Sequence, residues 1–290
     1  MITLNELLKN RNFDYSKDTI LVRHKDKRIN IFDLVEQNYF EFYQATQNRK
    51  SFDKAKFMIT FMGLESTKAL LYNIYRINGV KNLKTVDFPK GFINKCPWWT
   101  SEYIQTKQIK YYDLEPLPGF DDIKERIIID WGQGTLAWIQ KYNEKNIKEI
   151  IEILPTGYVK EFTDYLDFTL TYNQLKKLST YPEANKRWID KLSSVNGIYL
   201  ILDTKTGNQY IGSAYGVNGI WGRWNSYVKN YHGGNKQLIE LLEKDNTYYS
   251  NFQWTILETL PANLTKEKVI SYEIKYKEKL GTRTFGLNSN

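Results

Sequence analysis

Gly197-Ile198-Tyr199-Leu200-Ile201-Leu202 and Asn208-Gln209-Tyr210-Ile211-Gly212 are two runs of strand formers, and Asp203 to Asn208 between them is rich in turn residues. Gly207 can take the positive φ that a tight reversal needs. The pattern predicts a β-hairpin. Alternate side chains along a strand share a face, so Tyr199 and its hairpin partner Tyr210 can present two phenolic hydroxyls together.

The segment after the hairpin is patterned just as clearly. Gly219 opens a helical stretch through Tyr231, with Ile220, Trp224, Tyr227 or Val228, and Tyr231 on one buried stripe. Arg223 lies beside that stripe, where a planar fork of donors at a groove edge suits a phosphate; a solvent-exposed arginine is the plainer reading. His232 ends the helix, where an imidazole can hold a water or move a proton, or simply answer the helix dipole. Asn235–Lys244 reads as a further helix and Phe252–Glu258 as a third strand. Thr265 to Leu280 reads as a long helix stopped by Gly281, with an apolar stripe of Val269, Ile270, Tyr276 and Leu280. Glu273 falls inside that stripe. A carboxylate facing a core calls for a cation, a metal or a raised pKa, and a surface salt bridge to Lys277 or Lys268 is the alternative.

Taken in order, Gly-Ile-Tyr, Tyr-Ile-Gly, a helical arginine, a histidine, a helical glutamate and a near-terminal asparagine occupy 92 residues, Gly197 to Asn288. This arrangement resembles the GIY-YIG nucleases over about the last hundred residues. The resemblance implies a three-stranded antiparallel sheet flanked by helices. It implies one Mg²⁺ or Mn²⁺ on Glu273, the position of the family's single essential glutamate. Arg223 matches the family arginine that stabilises the phosphate during cleavage. Tyr199 would help activate the in-line water, with Tyr210 and His232 placing it and sharing the proton, and Asn288 would orient groups at the site. Tyr227, one turn after Arg223, stands where some members carry histidine. The thirteen-residue step from Tyr210 to Arg223 is slightly long for the family, with Ala214–Gly219 as the extra loop.

The remainder of the chain sets limits. At 290 residues it holds one large or two modest domains. Its 8 Trp, 22 Tyr and 14 Phe can build large cores, which argues against disorder. One cysteine, Cys96, excludes an intramolecular disulfide and a multi-cysteine zinc site. The first residues lack a signal-peptide core and no run is long and apolar enough to span a membrane, so an intracellular, cytoplasmic protein is expected. Net charge is +8, and residues 191–290, with 12 basic and 8 acidic side chains, carry half of it. That density suits a polyanion such as DNA.

Three domains are expected: residues 1–155 for target recognition, a helical connector at 156–192, and the nuclease at 193–290. The first is read as a mixed, strand-rich α+β domain, with a PUA-like barrel as one form. Helices are expected at Leu4–Lys9 and near Phe32–Gln47, the latter with Gln44 and Gln47 outside. Strands are expected at Thr19–His24, Phe57–Gly63, Lys68–Ile77, Tyr103–Tyr112 and Glu125–Trp131, the last with Thr135–Gln140 as its hairpin mate. Its aromatic and glutamine content suits a pocket for a flipped or modified base, whereas Trp98, Trp99, Trp131 and Trp138 equally suit a core and its rim. Beyond Pro155, Thr171 caps one connector helix and Pro182–Leu192 forms another.

The whole is an α+β chain read as a metal-dependent DNA endonuclease of restriction or defence, with a possible partner copy on DNA. A repair or recombination nuclease selecting DNA structure and a non-catalytic DNA-binding protein are the alternatives.

Overall fold

A computed structural model describes residues 2–13, 18–99, 109–134 and 136–288. The chain divides into two compact units, Met1–Pro155 and Thr156–Asn290, and its elements form an α+β fold.

The first unit opens with α1 (Leu4–Lys9), β1 (Thr19–His24), α2 (Ile31–Glu36), α3 (Phe40–Ala45) and α4 (Lys50–Asp53). It continues with β2 (Phe57–Gly63), β3 (Lys68–Leu83), α5 (Phe92–Lys95), β4 (Ile109–Pro116), β5 (Ile127–Asp130), β6 (Ile139–Lys141) and β7 (Ile150–Ile153). Seven strands make one mixed sheet in the order β6-β1-β2-β3-β5-β7, with β4 also on β3. β1 and β2 pair in parallel, so the intervening α2–α4 must cross over between them. All six residues of β1 are buried: Leu21 packs on one face with Leu4 and Leu8 of α1, Ile20 and Val22 on the other with Met58.

Several expectations change here. The helix expected near Phe32–Gln47 is broken into α2 and α3, because Asn38 adopts φ 59° and ends the run. Gln44 and Gln47 are buried rather than outside, and the Gln44 amide donates to Glu41 Oε2 at 2.6 Å. The run after Gly134 is not the mate of β5. β5 already has β3 on one side and β7 on the other, so β6 takes the free edge of β1. Of the strand expected at Tyr103–Tyr112, residues 103–108 lie outside the described residues, and β4 begins at Ile109.

The second unit comprises β8 (Leu170–Thr171), α6 (Tyr172–Thr180), α7 (Lys186–Ser193), β9 (Asn196–Asp203) and β10 (Gln209–Ala214). α8 (Gly219–Asn230), α9 (Lys236–Lys244), β11 (Phe252–Leu260), α10 (Lys266–Leu280) and α11 (Thr282–Phe285) complete it. The sheet is four-stranded, β10-β9-β11-β8, and all neighbours are antiparallel. The three expected strands are present; the fourth, two residues long, carries no sequence signal. Thr171 closes a capping box with Gln174 at the start of α6. Leu175, Leu178, Trp188 and Leu192 of α6 and α7 share one core with Tyr199, Ile220, Trp224 and Trp254, so these helices cover a face of the sheet. α10 covers the other face, burying Val269 against Ile198 and Ile211.

Candidate active site

The hairpin register decides which side chains meet. Tyr199 lies opposite Gly212, and Tyr210 opposite Ile201, so the two tyrosines are diagonal neighbours on one face rather than a direct pair. Their ring centroids are 6.4 Å apart. The glycines of the two tripeptides are explained by close approaches. A Cβ on Gly212 would lie 2.4 Å from the Tyr199 hydroxyl, and one on Gly197 would lie 2.6 Å from the Glu258 carbonyl, where β11 slips register against β9. Gly212 therefore makes room for the phenol of the opposite strand.

That phenol is fully buried. Tyr199 has 0% exposure, and its hydroxyl lies 3.0 Å from the hydroxyl of Tyr227. Arg223, one helical turn before Tyr227 on α8, donates from Nε to the Tyr199 hydroxyl at 3.0 Å, and its guanidinium carbon lies 5.2 Å from the Tyr227 ring centroid. No hydrogen bond among the described residues claims its terminal nitrogens. The arginine is thus held by its inner edge, with the outer fork left for a ligand. Burial works against its charge, but the oxygens of Tyr199 and Tyr227 outweigh it and raise its pKa above the ordinary value.

Arg223 and Tyr210 line a cleft of about 650 Å³ together with Ser213, Ser226, Ile270 and Glu273. Glu273 reaches it from α10, and its side chain is 17% exposed. Ser213 of β10 donates to Glu273 Oε2, and the ammonium of Lys277, one turn along and only 4% exposed, lies 2.7 Å from Oε1. The lysine contact foreseen as a surface salt bridge is a largely buried ion pair. The face of α10 turned to the sheet runs through Val269, Tyr272 and Tyr276; Leu280, assigned to the stripe from the sequence, is exposed.

Among the described residues no group of three or more His, Cys, Asp or Glu gathers to hold a metal. The cleft instead offers one carboxylate beside a serine hydroxyl, with the Lys277 ammonium on the carboxylate's other oxygen where a metal ion would have to displace it. This all-oxygen set fits a hard cation such as Mg²⁺, which takes few protein ligands and completes its shell with water and substrate phosphate.

Three of the expected site residues lie outside the cleft wall. Tyr199 does not line the cleft, and burial pushes its pKa above the ordinary phenol value, an effect Arg223 only partly opposes. Its hydroxyl meets Arg223 and Tyr227, and Tyr210 is the tyrosine that reaches the cleft. His232 is not in the cleft wall either, and its Nδ1 accepts the Gly234 N–H at 2.9 Å. The loop it begins presses Gly233 against the Tyr227 ring, which backs the buried phenol pair. Asn288 is buried and binds the edge of β10: its Nδ2 donates to the Ile211 carbonyl at 2.8 Å, and its Oδ1 accepts the Ile211 N–H at 2.9 Å. That strand also carries Tyr210 and Ser213. Ser213 carries no mark in the sequence; Lys277 is read there only as a salt-bridge partner, and Tyr227 only as a stripe residue one turn after Arg223 where some members of the resembled family carry histidine.

No family model and no curated protein matches the chain. Among solved structures, the catalytic domain of intron endonuclease I-TevI, in a mutant form, is similar over 33% of this chain and 94% of that one, at 24% identity and TM-score 0.28. A second structure of the catalytic domain of homing endonuclease I-TevI is similar over 32% and 96%, at 26% identity and TM-score 0.26. Among the described residues no helix is long and apolar enough to cross a membrane.

Proposed function

We propose that residues 156–290 are an endonuclease of the GIY-YIG kind that hydrolyses DNA phosphodiester bonds, and that residues 1–155 select the DNA to be cut, in restriction or defence. The observation that carries the reading is a charged guanidinium held from behind, in one cleft with the Glu273 carboxylate. The outer nitrogens of Arg223 bind the scissile phosphate and stabilise the charge that builds there as the attacking oxygen adds. Tyr199 and Tyr227 fix the arginine and remain protonated. Tyr210 places the attacking water at the cleft wall. Glu273 is the residue to hold a divalent cation, which when bound supplies charge neutralisation and assists the leaving oxygen. One copy has one such cleft, so cutting both strands takes a second copy or two successive nicks.

The test is cleavage of unmodified plasmid and of cytosine-modified phage DNA in Mg²⁺, parent beside Glu273→Gln and Arg223→Ala. Glutamine is chosen because alanine would leave the Lys277 ammonium buried beside a void. We expect cutting of one DNA or both by the parent, and a loss of about 10²–10³-fold in each variant. Glu273→Gln cutting like the parent would sink the site assignment, and a parent inert on both DNAs, in Mn²⁺ as well, would sink the nuclease reading.

A further inference from the structure

The first unit holds a cleft of its own, of about 590 Å³, within the range of ligand sites. Its walls are aromatic. Tyr43 and Trp99 lie 4.8 Å apart at 34°, and His24, with 3% exposure, meets Tyr43 edge-on at 5.5 Å and Trp138 at 5.9 Å. Nε2 of His24 is buried with no hydrogen-bond partner. Arg28 is paired with Asp26 at 2.8 Å and covers Trp98, whose ring centroid is 4.9 Å from its guanidinium carbon. Arg49, at the start of α4, is an exposed cation on the lining. Leu136 also lines the cleft and is 97% exposed.

These features belong to one kind of ligand. The rings pack on one another and form a wall of the cleft, so a flat heteroaromatic there would lie against that wall, since every base has a π-face to stack. Guanidinium groups on the lining match a phosphate attached to that ring. The exposed Leu136 beside the cleft can be covered by a stacked base pair, which is apolar on both faces. We propose that this cleft receives one nucleobase extruded from duplex DNA, with Tyr43, Trp99 and Trp138 against the base, Arg49 on a flanking phosphate and Leu136 in the space the base leaves. The proposal rests on the reading of residues 1–155 as the target-selecting unit, and it names the means of selection.

Photo-crosslinking of the full chain tests it. The probe is a duplex carrying 5-iodouracil opposite an abasic site, where extrusion is cheapest, irradiated in EDTA so that the outcome does not depend on cleavage. We expect the crosslink to map by mass spectrometry to Tyr43, Trp99 or Trp138. In Leu136→Ala, a change at an exposed position, the yield per bound duplex should fall roughly fivefold. A crosslink mapping elsewhere, or none above that of a fully paired probe, overturns the proposal. Free 5-iodo-deoxyuridine monophosphate crosslinking to the same residues and competing equally also overturns it, since the cleft then serves a free nucleotide. Cleavage without this crosslink would leave the nuclease reading standing and remove the base pocket; the crosslink without cleavage would do the reverse.

Discussion

The Lys277 ammonium, 2.7 Å from Glu273 and almost wholly buried, occupies the position a competing cation would take. Lys277→Met should therefore tighten Mn²⁺ binding severalfold at pH 8, read by electron paramagnetic resonance titration. The same change should lower stability by about 3 kcal/mol, because one member of a buried pair is left alone. Unchanged affinity would mean that Glu273 does not hold the metal. His24 supports a pH prediction. Burial lowers its pKa from 6.5 to about 3. Below pH 6.5 the unfolded chain takes up a proton that the folded one refuses, so stability contributed above 6.5 is lost as pH falls toward 3. Between pH 7 and pH 5 the loss is about 2 kcal/mol. Urea unfolding of the parent should show it, and His24→Leu should remove it; equal slopes in both would refute the assignment.

At the scale of elements, β10 is an edge strand, and an edge left open loses register. Asn288 closes it by matching the Ile211 N–H and C=O with one side-chain amide. Asn288→Ala leaves both groups buried and unpaired, which should cost about 2–3 kcal/mol. Thermal melting would show this, and cleavage should weaken with it because Tyr210 and Ser213 ride on the same strand. A melting point within a degree of the parent's would mean the edge is held by other means. The hairpin, α8 and α10 with its Gly281 stop could be read from the sequence, because each is fixed by local periodicity and turn chemistry. β7 and the two-residue β8 could not, since their pairing rests on partners distant in the chain.

At the scale of the molecule, each unit has its own hydrophobic core. Residues 156–290 made alone should therefore fold cooperatively, as followed by circular dichroism. They should cut DNA in Mg²⁺ with the preference between plasmid and modified phage DNA abolished. Retained preference would place target choice in the second unit and refute the role given to residues 1–155.

The sequence by itself determined the α+β class, the hairpin, the helices around it, and the set of chemical groups, because these depend on residue type and on spacing within one element. Only the tertiary structure decided what those groups face. Tyr199 is buried because Gly212 and Tyr227 enclose its hydroxyl; His232 turned to its own loop; Glu273 met Ser213 and Lys277. Each of these outcomes depends on which strand or helix covers which, and a side chain's hydrogen-bond partners and water access are set by that packing.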